Sequence, residues 1–276
     1  MKNFFLLVCM LVYTFGNTQS LTKIWETPQD LDTPESVLSD VKNNRLYVAN
    51  IGGKEPWKAD GNGFISILDL DGKTVDAKWI IGLDAPKGMA RFQNLLYVSD
   101  ITNVKVINIK SGKITNTINI EGSKTLNDVA VDTLGNVYVS DSRGRRVYKI
   151  ANDKYEILID TIDLKGPNGL FLDKGKLHVL DNSTLHAFEG GKLTPIVDGL
   201  TGGNDGIERI SAKDMIVSCW SGTIYSVDYA KKTKKLLLDT TADKINAADI
   251  GINFKEKIIY VPTFFNNTVA AYKYEK

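Results

Sequence analysis

The stretch LNDVAVDTLGNVYVSD, residues 126–141, holds two apolar segments separated by a Gly-Asn turn and ends on an aspartate. Such segments, rich in β-branched and aromatic residues and bounded by Gly, Asn and Asp, are typical of short antiparallel strands. The pattern occurs five more times, as PESVLSDVKNNRLYVAN from Pro34, PKGMARFQNLLYVSD from Pro86, PNGLFLDKGKLHVLD from Pro167, NDGIERISAKDMIVSC from Asn204 and AADIGINFKEKIIYVP from Ala247. Recurrence at a period near forty residues predicts a repeat architecture.

Each repeat offers about four strand segments, and the third one continues with RRVYKI and YEILID, residues 145–150 and 155–160. No segment after residue 20 has a sustained helical period with capping residues. Four antiparallel strands in each of six repeats describe the blades of a propeller. We therefore predict an all-β fold, a six-bladed β-propeller.

The spacing of the repeats locates an insertion and a missing strand. The second residues of the six repeats are 52, 40, 41, 37 and 43 positions apart, and the longest interval contains IGGKEPWKADGNG, Ile51–Gly63. The segment LTKIWET, residues 21–27, precedes the first repeat without a blade of its own, while the sixth repeat lacks an outer strand. We predict that this N-terminal strand completes the last blade and closes the ring, in one domain spanning residues 21–276.

The first twenty residues have the composition of a signal peptide. Lys2 provides the positive start, Phe4–Phe15 is almost wholly apolar, and small residues precede position 20. The apolar run is shorter than the ~20 residues that a transmembrane helix needs. We expect an exported protein, periplasmic or secreted, without a transmembrane segment.

The net charge and the cysteine content limit the classes of binding partner and the disulfide bonds that we expect. The formal net charge of +1 gives no general attraction to nucleic acid or anionic membranes. Of the two cysteines, Cys9 lies in the predicted signal peptide, so Cys219 has no partner for a disulfide within the mature chain. We expect a monomer that acts on a small molecule.

The second residue of each repeat begins an inner strand, so these six side chains are predicted to converge at one mouth of the central channel. They are Glu35, Lys87, Asn127, Asn168, Asp205 and Ala248. Carboxylates and amide oxygens are ligands for hard divalent cations. Asn and Asp at turns also bond their own backbone, so a structural interpretation remains open.

The Asp or Asn that closes the second strand is interpreted as a structural residue that holds the following turn, because it recurs in blades whose second residues differ. These residues are Asn50, Asp100, Asp141 and Asp181. His178 and His186 fall in mid-blade strands of the fourth repeat, where core or strand-surface roles are expected. Cys219 stands where other blades have their turn residue and is predicted to be buried and inert.

Over essentially the whole mature chain, the motifs PES, LNDVAVD…GNVYVSD, GPNGLFLD and GNDGIERI resemble the gluconolactonase / regucalcin (senescence marker protein) superfamily of six-bladed propellers. The third blade also resembles an NHL repeat. The resemblance implies one divalent cation, calcium first, with zinc, magnesium or manganese as alternatives. It implies Glu35, Asn168 and Asp205 as metal ligands, with Asn127 beside the metal on the substrate side.

This resemblance implies a metal-dependent hydrolase of a lactone, a sugar-acid lactone or a related ester. Asp205 would be both ligand and general base, and Lys87 would stabilise the oxyanion or hold a substrate carboxylate. Lys87 departs from the family pattern, because its ammonium offsets one of the two carboxylates. The family's substrate-binding arginine falls at Thr125, with only Lys124 nearby as a cation.

The loops between the second and third strands are predicted on the same face as this ring. They are residues 51–63, 101–103, 142–145, 182–184, 220–222 and 264–267. Trp57 would either fold over the mouth as part of a lid or pack a surface excursion. The alternative function is a non-catalytic, NHL-like binding propeller for an anionic small molecule, a sugar or a protein. Its cations would be Lys87, Arg143 and Arg145, and its stacking surface Trp57, Trp220, Phe264 and Phe265.

Overall fold

The computed structural model describes residues 19–276, which form six four-stranded antiparallel sheets arranged as the blades of a propeller. Blade one contains β2 (Pro34–Asp40), β3 (Arg45–Asn50), β4 (Gly63–Leu68) and β5 (Thr74–Leu83), and blade two contains β6 (Pro86–Phe92), β7 (Leu95–Asp100), β8 (Asn103–Asn108) and β9 (Lys113–Asn119). Blade three contains β10 (Leu126–Val131), β11 (Val137–Asp141), β12 (Arg146–Ala151) and β13 (Lys154–Ile159).

The remaining blades follow the same order. Blade four contains β14 (Pro167–Asp173), β15 (Lys176–Asp181), β16 (Thr184–Glu189) and β17 (Lys192–Val197), and blade five contains β18 (Asn204–Arg209), β19 (Asp214–Cys219), β20 (Thr223–Asp228) and β21 (Thr233–Asp239). Blade six contains β22 (Gly251–Asn253), β23 (Ile258–Pro262), β24 (Val269–Glu275) and β1 (Ser20–Glu26). The predicted six-bladed, all-β fold is confirmed.

Closure of the ring depends on the N-terminal strand, as predicted. β1 pairs antiparallel with β24, from Ser20 opposite Glu275 to Glu26 opposite Ala270. Strands from the two ends of the described chain therefore share one sheet, and backbone hydrogen bonds join them. The predicted signal peptide, residues 1–20, lies outside the described residues except for its last two positions.

Helical structure in residues 19–276 is limited to two short 3₁₀ turns, Val41–Asn43 and Phe264–Asn266. No helix in this range is long and apolar enough to cross a membrane. Many of the connections between strands are tight turns. Asn152 and Asp153, for example, both have positive φ (52° and 61°), which the two-residue hairpin between β12 and β13 requires and which Asn and Asp tolerate.

The core lies between neighbouring blades. One apolar cluster joins Ala90 and Val104 of blade two to Val129 and Val139 of blade three, all buried. Equivalent clusters join the other blades around the ring. Because each blade is packed on both faces, the inner strands hold fixed positions around the axis.

The Asp that closes the second strand holds the segment that enters the inner strand of the same blade. The Asp141 carboxylate accepts backbone N–H groups of Lys124 (2.9 Å) and Thr125 (2.8 Å), and also that of Gly144 (2.8 Å) in the turn that follows. Three other residues have the same role in their blades, namely Asn50, Asp100 and Asp181. The structural interpretation of these residues is confirmed, but within residues 19–276 the expected bond to the following turn is made by Asp141 alone, and the other three hold the entering segment.

Candidate functional site

A cavity of about 380 Å³ opens at the face where the inner strands begin, here called the top face. Its floor carries five of the six side chains that were predicted to converge there, Glu35, Lys87, Asn127, Asn168 and Asp205. Ala248, the sixth, is fully buried and packs with neighbouring apolar side chains. The repeat register therefore predicted the floor of the cavity.

The walls come from the loops that were predicted on this face. Pro56 and Trp57 belong to the insertion in blade one, Trp220 follows β19, and Phe264 and Phe265 form the 3₁₀ turn of blade six. The Trp220 ring lies edge-to-face with Phe264 (centroids 5.5 Å apart) and Phe265 (6.0 Å). Pairs of this geometry stabilise one another, so the three rings form a rigid aromatic wall.

Lys87 lies at the floor and is only 2 % exposed. Its Nζ is 3.7 Å from Glu35 Oε1 and 4.1 Å from the centre of the Trp57 ring. The Arg143 guanidinium lies over the same ring at 5.0 Å. The insertion therefore reaches the channel mouth and contacts two cations there, as the lid interpretation of Trp57 expects.

Hydrogen bonds hold the side-chain amides of the floor in place, but three polar atoms there have no hydrogen-bond partner. Asn168 Nδ2 donates to Asn204 O (3.0 Å) and Asp205 Oδ1 (3.2 Å), and Asn127 Nδ2 donates to Ser142 Oγ (3.1 Å). Three buried atoms at the floor have no hydrogen-bond partner within residues 19–276, namely Glu35 Oε2, Asn168 Oδ1 and Asn204 Nδ2, and eight further atoms without a partner lie elsewhere in that range. Buried polar atoms are usually paired, and these three are grouped in one cavity, where a bound ligand would give them partners.

Burial dominates the electrostatics of the floor. It raises the pKa of Glu35, against the opposing effect of Lys87, and it lowers the pKa of Lys87. Burial, together with the negative charges of Glu35 and Asp249, raises the pKa of Asp205 well above its usual range. Each shift reports that a charged form is poorly solvated here.

A second layer of carboxylates lies below the floor and was missed by the sequence analysis. Burial raises the pKa of Asp249 to about 7 and that of Asp128 well above its usual range. A methyl group on Gly88 would be 2.3 Å from Asp128 Oδ1, and one on Gly206 would be 2.6 Å from Asp249 Oδ1. Glycines in the neighbouring blades therefore make room for these carboxylates, and the Gly/Asp pattern one position after the floor residues was the available signal.

Other predicted residues lie away from the cavity. Lys124 is exposed and does not line it. His178 is buried, with Nδ1 3.3 Å from Phe171 O, and His186 is half-buried on β16, so neither reaches the floor. Cys219 is buried and burial raises the pKa of its thiol to about 11, which disfavours the thiolate form near neutral pH.

The floor residues fit a divalent cation if an amide oxygen takes part. In the described part of the chain, no three His, Cys, Asp or Glu side chains are grouped so that they could hold a metal ion. Glu35 and Asp205 therefore need Asn168 as a third ligand. The bare Glu35 Oε2 and Asn168 Oδ1 are both oxygens, as a hard cation requires.

Fold and site define a six-bladed β-propeller with an aromatic-walled cavity over a polar floor. No protein-family model and no curated protein sequence matches the chain. Solved structures with the same fold include a proposed gluconolactonase (TM-score 0.68, 14 % identity, covering 94 % of this chain and 93 % of that one). They also include a streptogramin B lyase (TM-score 0.69, 11 % identity, covering 93 % and 98 %).

A third similar structure is the extracellular domain of a proposed one-component system from B. thetaiotaomicron (TM-score 0.59, 13 % identity). The match covers 87 % of this chain and one third of that one, 33 %. At these identities the similarity establishes the fold and confirms the resemblance to gluconolactonase propellers at that level. The chemistry of the site has to be argued from the residues of this chain.

Proposed function

We propose that this protein hydrolyses a lactone or a related ester with the help of one divalent cation bound by Glu35, Asn168 and Asp205. The observation that carries the proposal is the pair of bare oxygens, Glu35 Oε2 and Asn168 Oδ1, next to Asp205 at the floor of an open cavity. A cation with oxygen ligands satisfies both atoms at once. Calcium is the first candidate, and zinc, magnesium and manganese are the alternatives.

The charge balance at the axis supports a cation. In the part of the chain that the structure describes, the buried carboxyl groups of Glu35, Asp128 and Asp205 and the half-buried one of Asp249 lie around the axis, and the ammonium that lines the cavity is that of Lys87. If a bound cation kept all of them ionised, the sum of their charges would be −3. A dication would offset most of this excess, which burial makes costly to leave uncompensated.

The side chains of the floor have distinct roles in the proposed reaction. When bound, the cation supplies polarisation of the substrate carbonyl and a lower pKa for water. Asp205 accepts the proton of the attacking water, and the hydrogen bond from Asn168 Nδ2 holds its carboxylate in place. The bond between the carbonyl carbon and the ester oxygen then breaks, and Asp205 returns the proton to the leaving oxygen. Asn127 orients the substrate, and the Lys87 ammonium stabilises the negative charge that develops on the carbonyl oxygen.

Replacement of Asp205 tests the proposal. Asp205→Ala is expected to lose both the bound cation and turnover of a lactone panel, whereas Asp76→Ala, an exposed aspartate on β5, retains both. Metal content by elemental analysis and lactone hydrolysis by pH-stat are the two measurements. Cation retained at full stoichiometry in Asp205→Ala would refute the assigned ligand set.

A second function, binding without catalysis, is favoured by one observation. Lys87 and Arg143 both lie against the Trp57 ring at the mouth of the cavity, so two cations are available to an anionic ligand. Under this alternative, a sugar acid such as gluconate raises the melting temperature, while calcium and zinc at millimolar concentration leave it unchanged.

We propose further that the protein is exported and monomeric. The positive and apolar pattern of residues 2–15 supports export. The extracellular domain among the similar structures agrees with it. N-terminal sequencing of protein from the culture medium or periplasm, and light scattering of the purified protein, test the two statements.

A further inference from the structure

The surface that a ligand meets in the cavity is chiefly aromatic. Trp220 is 39 % exposed and Phe265 is 49 % exposed, whereas Glu35, at the floor, is 4 % exposed. The polar groups are thus reached only at the deep end, and the walls offer the faces and edges of aromatic rings. Apolar surface of a ligand is removed from water when it contacts such walls, which favours binding in proportion to the area covered.

The floor has few polar atoms left for a polyhydroxylated ligand. Asn168 Nδ2 already donates both of its hydrogens to protein oxygens, and Asn127 Nδ2 donates one of its two. Under the proposed function, Glu35 Oε2 and Asn168 Oδ1 contact the cation. The hydroxyl groups on nearly every ring carbon of a sugar lactone would be desolvated against aromatic walls without partners, which is costly.

Besides the Lys87 ammonium, an amide nitrogen is available to a carbonyl oxygen. Asn204 Nδ2 has no partner among residues 19–276, and Asn204 lines the cavity beside Asp205. Its Oδ1 is 3.6 Å from Cys219 Sγ, a contact that directs the amide nitrogen away from the thiol. A ligand with a single polar end and an apolar body satisfies this donor and leaves no hydroxyl unpaired.

We infer that the substrate class is an apolar lactone or ester, with an alkyl or aryl body, rather than a sugar lactone. The reaction in this inference rests on the proposed function. The selectivity rests on the aromatic walls and the polar floor of the cavity. The ester carbonyl lies towards Asn204 and Lys87, and the apolar body lies against Trp220 and Phe265. The cavity of about 380 Å³ is near the lower end of the usual range, so it suits one ring with a short chain.

Binding of unreactive lactams tests the selectivity separately from turnover. The lactam analogues of δ-decalactone and of glucono-δ-lactone share a six-membered ring and differ in their substituents. Calorimetric titration of the full chain with calcium present is expected to show the apolar lactam binding about 30-fold tighter. Phe265→Ala and Trp220→Ala each reduce this preference severalfold. Phe254→Ala, an equally exposed aromatic on the opposite face, leaves it unchanged.

The outcomes separate the inference from the proposed function. Equal or tighter binding of the gluconolactone analogue, binding of neither lactam, or a preference that survives both aromatic substitutions overturns the inference. Hydrolysis of glucono-δ-lactone in preference to δ-decalactone also overturns it, although the proposed hydrolase activity then stands. Selective binding of the apolar lactam without turnover of either lactone supports the inference and refutes the proposed function.

Discussion

At the scale of single residues, Lys87 distinguishes this floor from the oxygen-rich ring that its repeat position predicts. Its ammonium is buried 3.7 Å from Glu35 Oε1 and stacks on Trp57. A positive charge at that distance opposes the binding of a cation to the same carboxylate. Lys87 also partly compensates the excess of buried carboxylates, so it stabilises the protein before any cation binds.

Lys87→Met is expected to increase calcium affinity at least about tenfold, because the floor loses its opposing charge and keeps all three oxygen ligands. The variant is also expected to melt at a lower temperature without calcium, since Glu35 is left buried without a counter-ion. Calorimetric titration and thermal denaturation measure the two effects. Lys78→Met, an exposed lysine stacked on Phe64, is the control. Unchanged or weaker calcium binding would contradict the placement of the cation.

The floor could be predicted from the sequence because the repeat register places equivalent residues on one ring. The carboxylates Asp128 and Asp249 were missed, since aspartate beside a turn usually indicates local bonding to the backbone. Glycines in neighbouring blades leave the space that these two carboxylates occupy. This arrangement depends on how the repeats pack against each other. The role of Asn204 depends on the orientation of its amide, which no residue pattern encodes.

At the scale of elements, β1 closes the ring through contacts that link the two ends of the described chain. Trp25 on β1 packs on Tyr260 of β23, with ring centroids 5.8 Å apart, and it covers Gly72 of blade one. Ile24, next to it on the same strand, is exposed. Substitutions at these two positions therefore distinguish the effect of side-chain packing at the ring closure from the effect of β-strand propensity in β1.

Trp25→Ala is expected to lower the free energy of unfolding by about 3 kcal/mol, because a large side chain is lost where blades one and six meet. Ile24→Ala is expected to change it by less than about 1 kcal/mol. Urea denaturation followed by far-UV circular dichroism measures both. Equal losses at the two positions would show that the closure does not depend on this contact.

Strands and their order were predictable because strand periodicity and turn residues are local signals. The contact of Trp57 with both Lys87 and Arg143 was not, since it depends on how the insertion folds across three blades. For that reason the sequence of the insertion is compatible with both a lid and a surface excursion.

At the scale of the whole molecule, buried carboxyl groups follow the channel from the top face to the other end. Below Asp128 and Asp249, Glu208 lines a cavity of about 290 Å³ at the opposite opening. Burial and the negative charge of Asp249 raise the pKa of Glu208 from 4.5 to about 8. Between these two values the folded protein binds a proton that the unfolded chain releases, so stability falls as the pH rises through this window.

Glu208→Gln is expected to remove this pH dependence. The variant and the parent protein should melt at similar temperatures near pH 4, where Glu208 is protonated in both states of the chain. The variant should become progressively more stable than the parent towards pH 8. Glu156→Gln, an exposed glutamate on β13, serves as the control in the same thermal scans. A constant difference across the pH range would contradict the assignment.

Calcium titration of the purified full chain in a calorimeter tests whether the floor holds one divalent cation. We predict one site per chain. We also predict a melting temperature that rises by about 5–10 °C at a hundredfold excess over Kd, with both effects lost in Asp205→Ala. Absence of binding and of stabilisation with calcium, zinc, magnesium and manganese alike would contradict it.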